Sequence, residues 1–402
     1  MTAGPVHRLA LPEFTAMMAM LFATIAFSID AMLPALPAIA TELSPDAVNR
    51  AQLVVTAFVL GMGTGTIVVG PISDAIGRRR TIFGGFALYL CGAVLAYAAP
   101  SMEVLLAARV VQGIGASGPR IVGLAVVRDL YQGREMARVT SFVMTVFMVV
   151  PAIAPSVGAV LISWGGWRLV FLAFVAFALT AGLWVMLRQP ETLPRDHRRP
   201  LSARNLFAAA REVISDREVA ICTAAMTLGF GQMLGLLSSA QQLFDVTYGQ
   251  GQNFPKWFAL LAVLSASASF LNARLVMRLG MRRLATAAYA AQSAFTLGMI
   301  VVIGSGVLTG GAAFAAFFFW ATSVFFMAGL TFGNLNALAL QRMGHIAGTA
   351  ASVVAAVSTL LAVVIAAPVG LAFDGTARPV MAGVLACSVI AWALMRRLAP
   401  AT

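Results

Sequence analysis

Three charged side chains, Asp30, Arg109 and Arg120, stand inside long apolar runs. On insertion scales an Asp, Lys or Arg at the centre of a membrane helix costs about 2.5–3.5 kcal/mol, so such residues are kept for a site, a partner or a proton. Asp30, in Ala26-Phe27-Ser28-Ile29-Asp30-Ala31-Met32-Leu33-Pro34, offers a carboxyl that can gain and lose a proton. Its plainer role is to cap a helix kinked at Pro34 near the outer interface. Arg109, in Arg109-Val110-Val111-Gln112-Gly113, is a permanent cation that needs acceptors or water, and loop carbonyls near the outer surface would also serve. Arg120 follows Gly113, Gly115 and Gly118, and its guanidinium can pair with Asp30 or hold an anionic substrate.

A second constellation is Gly70-Pro71-Ile72-Ser73-Asp74-Ala75-Ile76-Gly77-Arg78-Arg79-Arg80, between apolar runs at about 51–69 and 82–99. Each run is long enough to cross about 30 Å of hydrocarbon as a helix. Three consecutive arginines fix the turn on the cytoplasmic face. Gly70 and Gly77 let helix ends approach, and Asp74 can accept from helix N-termini or pair with an arginine. Elsewhere Gln232, Ser238, Ser239, Gln241, Gln242, Asn334 and Asn336 can line a cavity or tie helices together at about 0.6 kcal/mol each. Met226 and Met233, seven apart, can touch a soft metal such as Cu(I) or simply fill a core. None of His7, His197 and His345 completes a buried site with them, and no metal is expected. Cys91, Cys222 and Cys387 lie in apolar runs without metal or redox spacing and pack as small hydrophobes.

The elements that must position these groups are membrane helices. Hydrophobic residues make up 60% of the 402-residue chain and charged residues 10%, which is too apolar for a water-soluble fold. Spans are expected at about 14–36, 48–72, 81–99, 102–127, 138–163, 168–188, 218–243, 254–278, 283–305, 309–339, 346–372 and 378–397. The first continues directly into the bundle with no cleavage site, so it reads as a span rather than a signal peptide. Twelve spans put both termini and the 189–217 connection on one side. Of the 27 Lys and Arg residues, Arg109 and Arg120 lie within spans and Arg50, Arg168, Lys256 and Arg378 fall opposite, which leaves 21 on the side of the termini. That excess makes both termini cytoplasmic. The net charge of +12 is spread over loops rather than gathered in one patch, so no nucleic acid partner is expected. Residues 1–188 and 218–402 form two six-helix halves, and 189–217 is the linker. Asn272 to Arg283 repeats the Gly70 to Arg80 turn in the second half, with Met277 where the first has Asp74.

The Gly70-(x)3-Asp74-(x)2-Gly77-Arg78-Arg79-Arg80 pattern resembles the signature loop of the major facilitator superfamily, with Ala75 where that family often has arginine. The Ile29-Asp30-(x)2-Leu33-Pro34-Ala35-Leu36-Pro37 run, the Arg109-(x)2-Gln112-Gly113 motif, Gly165-Gly166-Trp167-Arg168 and Ala347 to Ser352 are similar to the bicyclomycin-resistance (Bcr/CflA) type of drug:proton antiporters. Pro151-Ala152-Ile153-Ala154-Pro155-Ser156-Val157-Gly158-Ala159 resembles their antiporter motif, with Ala154 and Ala159 replacing two glycines. Pro155 and Gly158 would still bend and thin the helix.

The resemblance implies an all-α membrane protein of two parallel six-helix halves with a midplane substrate site. It also implies alternating access, proton coupling through Asp30 and Arg109, and gating by Gly70, Asp74, Gly77, Arg78 and Arg79. Arg120 departs from the antiporter pattern; with Gln232, Gln241, Asn334 and Asn336 it is the candidate substrate lining. The expected activity is proton-coupled efflux of drug-like or small amphiphilic compounds. The alternative is a proton- or gradient-driven importer of a small nutrient or a metal such as copper, which draws on Arg120 and the methionines. A membrane receptor without transport has no positive feature. The absence of a GxxxxGK[ST] loop argues against ATP-driven pumping, and no enzyme constellation or cofactor site appears. The partners are a small molecule, protons and the lipid bilayer, and the chain is expected as a monomer in a bacterial cytoplasmic (inner) membrane.

Overall fold

The computed structural model describes residues 9–198, 200–201 and 203–398; His7, Arg199 and both chain ends lie outside them. Among the described residues the helices are α1 Leu11–Asp30, α2 Leu36–Leu43, α3 Leu53–Ile76, α4 Arg78–Tyr97, α5 Met102–Leu130, α6 Gly133–Arg188, α7 Ala203–Ser215, α8 Arg217–Gln242, α9 Phe254–Leu279, α10 Met281–Gly304, α11 Gly310–Gln341, α12 Ala347–Leu371 and α13 Arg378–Arg396. Eleven helical stretches are long and apolar enough to cross a membrane. One of these, Gly133–Arg188, holds 56 residues and breaks at Gly165 (φ −154°, ψ 24°) and Gly166 (φ 71°, ψ −177°). Its two limbs bring the number of spans to twelve, and the fold is all-α with twelve transmembrane helices.

The first span is longer than expected. Pro34 and Pro37 donate no backbone hydrogen bond, yet the chain only bends there: a 3-10 turn, Leu33–Ala35, links α1 to α2, and the span runs to Leu43 rather than 36. Asp30 therefore stands at a break inside the span, not at its outer end.

Two compact units are present. The first comprises Met1–Ser44 and Ala57–Leu206, the second Pro45–Thr56 and Phe207–Thr402. In the first, α4 and α5 approach on glycines: a Cβ added at Gly85 would lie 3.1 Å from Gly118 Cα and 3.2 Å from Pro119 Cδ. In lipid there is little hydrophobic drive between helices, so close backbone packing of this kind is what holds them. The second unit has a core of Cys222, Ala225, Tyr289, Met327, Leu335, Val354 and Ala391, where Tyr289 donates to Ala225 O at 2.8 Å. Val213 of α7 joins that core. Pro45–Thr56, which the sequence assigns to the first half, is tied to the second unit: Asn49 Nδ2 donates to Leu371 O (3.1 Å) and Phe373 O (2.8 Å), and Ser239 Oγ donates to Gln52 Oε1 (2.7 Å). Phe83, Leu183, Phe270, Val301, Phe319 and Val364 lie exposed on helix exteriors, where lipid chains replace water.

Candidate functional site

α1 ends at Asp30, where Pro34 interrupts the helical ladder four residues on. Asp30 is 6% exposed and makes no hydrogen bond or ion pair among the described residues. Neither arginine expected as its partner is paired with it.

Arg109, fully buried on α5, instead donates to the Ser28 carbonyl at 3.0 Å and to Gln112 Oε1 at 2.7 Å, and its guanidinium lies 4.5 Å from the centre of the Phe58 ring. Ser28 Oγ donates to Thr24 O at 2.6 Å, which leaves its oxygen to accept from Tyr89 OH at 2.5 Å. Carbonyl, amide and ring together replace the water a buried guanidinium loses. The result is a cation held two residues from an unpaired carboxyl, joined to it through the backbone of α1 rather than by a direct bond. Ser28, Tyr89 and Gln112 complete this cluster; only Gln112 stood in a recognised motif.

Arg120 is three helical turns beyond Arg109 on the same face of α5, about 16 Å along the axis. It is half-buried, and among the described residues its one bond is from Nη1 to the Met62 sulfur at 3.6 Å. The polar candidates of the second unit are mostly ties between helices. Gln232 Oε1 accepts from Ser388 Oγ at 2.7 Å, and Asn334 Nδ2 donates to Asn272 Oδ1 at 2.7 Å and to Leu330 O at 2.8 Å. Gln241 is buried with its Oε1 unpartnered among the described residues, and Asn336 is half-buried. Met226 packs against the core of the second unit, the ordinary use of a methionine on such a stripe.

At the Gly70–Arg80 turn, α3 gives way to α4 through Gly77 at φ 106°, a left-handed conformation that favours glycine. The α9–α10 turn repeats it with Gly280 at φ 77°. Gly70 lies within α3, one turn before Asp74. Arg78 bonds Asp74, Ser73 Oγ (2.7 Å) and Asp129 Oδ2 (3.1 Å), and Thr192 Oγ1 donates to the same Asp129 oxygen at 2.9 Å. Two members were not anticipated. Asp129 closes α5, and Glu191 follows α6; the Glu191 carboxylate accepts from the backbone N–H of Arg78 at 2.8 Å and of Arg79 at 3.2 Å. That carboxylate satisfies orphan amides at the start of α4 and offsets its positive dipole end. Arg79 Nη2 reaches the carbonyl of Met186 at 2.6 Å, near the end of α6. The sequence signal for Glu191 is faint: an acid between Pro190 and Thr192, just past a long apolar run.

Pro151 and Pro155 lie inside α6 without interrupting it. Gly158 packs against the backbone of Ala31: a Cβ there would meet the Ala31 carbonyl carbon at 2.9 Å and Cα at 3.1 Å. The antiporter-type motif therefore abuts α1 at the residue after Asp30. Trp167 and Arg168, which start the second limb of α6, both bond Glu42 of α2, at 2.7 Å and 2.5 Å.

Residues 17–397 match the model of the Major Facilitator Superfamily. An uncharacterized MFS-type transporter of Bacillus subtilis is 29% identical over 392 residues, covering 96% of this chain and 94% of the relative. A bicyclomycin resistance protein homolog of Haemophilus influenzae is 29% identical, covering 90% of each chain. Among solved structures, a D-xylose-proton symporter superposes with a TM-score of 0.76 at 14% identity, over 96% of this chain and 98% of that one, which speaks for the fold. With twelve spans, the Gly77 turn and its clasp of acids and arginines, and a match along nearly its whole length, the chain belongs to the major facilitator superfamily of membrane transporters.

Proposed function

We propose that this transporter is a proton-coupled exporter of drug-like or small amphiphilic compounds, working by alternating access in a bacterial cytoplasmic membrane with both termini cytoplasmic. The observation that carries the reading is Asp30. It is a buried carboxyl without a partner among the described residues, at the break of the first span, with Arg109 bonded to the carbonyl two residues before it and Gly158 packed on the residue after it. Protonating or deprotonating Asp30 changes the charge beside a fixed guanidinium. That shift alters the relative stability of the states that bind proton and substrate. The relative named for bicyclomycin resistance supports export of an antibiotic-like cargo. The Asp74–Arg78–Asp129 clasp, pinned by Glu191, stabilises one of the alternating states.

The test uses purified protein in proteoliposomes with an imposed pH gradient. Asp30→Asn is expected to abolish uphill movement of an antibiotic probe such as bicyclomycin while its binding persists. Accumulation by the variant with normal pH dependence would show that Asp30 is structural only.

A further inference from the structure

We propose that Arg120 receives the anionic group of a small amphiphilic substrate, so that the cargo of this transporter includes monoanions such as aryl carboxylates. This rests on the exporter reading and adds the charge class of what is carried.

Two arginines on one face of α5 stand in contrasting surroundings. Arg109 is fully buried and has the Ser28 carbonyl, Gln112 and the Phe58 ring around its guanidinium. Arg120 is half-buried, and among the described residues its only bond is to a thioether at 3.6 Å. A guanidinium carries five N–H donors, and a thioether is a weak acceptor. Asp30, the carboxylate that could neutralise Arg120 from α1, makes no bond to it.

The surroundings add the second half of the recognition. Gly123, one turn beyond Arg120, faces α1 so closely that a Cβ there would lie 3.4 Å from Phe22, 3.5 Å from Leu21 and 3.9 Å from the Met18 sulfur. Met62 of α3, which touches the cation, and these α1 side chains one turn away supply apolar surface on two neighbouring helices. A flat donor fork beside an apolar wall matches a molecule with a carboxylate, or another acidic oxygen pair, on a hydrophobic body. A neutral compound fits the wall but leaves the donors unanswered.

The experiment compares wild type, Arg120→Lys and Arg120→Gln in nanodiscs by calorimetry. The probes are 1-naphthaleneacetate and its neutral isostere 1-naphthaleneacetamide. In wild type the acid is expected to bind about tenfold more tightly than the amide. Arg120→Gln should bring the two to parity by weakening the acid alone, and Arg120→Lys should keep part of the preference. Retained binding of the amide shows that the glutamine variant is folded; should that variant not fold, the wild-type ratio and the lysine variant decide. Equal affinities in wild type, no binding of either probe, or a preference that survives Arg120→Gln would overturn the proposal. Efflux of neutral bicyclomycin by wild type, measured in parallel in inside-out vesicles, separates the two readings. Its presence with no acid preference leaves the exporter standing without the anion site.

Discussion

Replacing Gly158 by alanine isolates the contact that seats α6 against the break in α1. The added methyl would meet the Ala31 carbonyl carbon at 2.9 Å and Cα at 3.1 Å, with the carbonyl oxygen nearer still. These are backbone atoms, so no side chain can rotate away, and the two helices must separate or tilt. Overpacking of this kind costs about 1–3 kcal/mol. Alanine also favours helix over glycine by up to about 1 kcal/mol, which hides part of the effect. Gly84→Ala on α4 supplies the reference: a Cβ there meets no atom of the described residues within 4 Å, so it takes the helix gain without the clash. The difference between the variants therefore reads the contact alone. At about 2–4 °C per kcal/mol for a unit of 150–250 residues, Gly158→Ala should melt several degrees below Gly84→Ala in the same detergent. Melting points within about 1 °C of each other would refute the claim that this glycine is required by close approach.

Glu191→Gln removes the charge but not the bulk of the acid that accepts from Arg78 and Arg79, and should cost about 1–2 kcal/mol in thermal stability. Asp74→Asn removes a bond to Arg78 while Asp129 keeps its own, so the protein should insert normally and transport slowly; normal turnover in vesicles would remove the gating role. In the second unit, burial pushes the Asp216 carboxyl up, but the α8 amide of Val219 and the Arg342 guanidinium outweigh it and hold it below its ordinary value of 3.8. A depressed carboxyl contributes stability above that ordinary value and loses it as pH falls through the lower one. Between about pH 6 and pH 3, wild type should lose more thermal stability than Asp216→Asn, and parallel curves would exclude the linkage.

Much of the fold is legible in the sequence because spanning a bilayer is a requirement on composition. A run of some 20 apolar residues has few alternatives to a helix. The Gly77 and Gly280 turns are equally local: a glycine at a fixed distance after an apolar run is where the chain can turn through positive φ. The extent of the first span was not legible. Pro34 and Pro37 mark an ending by local rules, but a single 3-10 turn at Leu33–Ala35 lets the helix resume to Leu43.

Residue types and spacing alone determine that Asp30, Arg109 and Arg120 stand within spans and that Asp74 and Arg78 share a turn. Tertiary structure decides what each one touches. Apolar periodicity says that a face is buried but not which helix covers it, and in lipid that choice rests on small-residue packing with no charge signature. Arg109 therefore bonds a backbone carbonyl and a neighbouring glutamine, not the Asp30 carboxyl two residues beyond that carbonyl. Gln232 and Asn334 tie helices together. Glu191, more than a hundred residues along the chain, caps the helix that Arg78 begins. Bonds between distant segments depend on the packing of whole helices, and no local pattern encodes that packing.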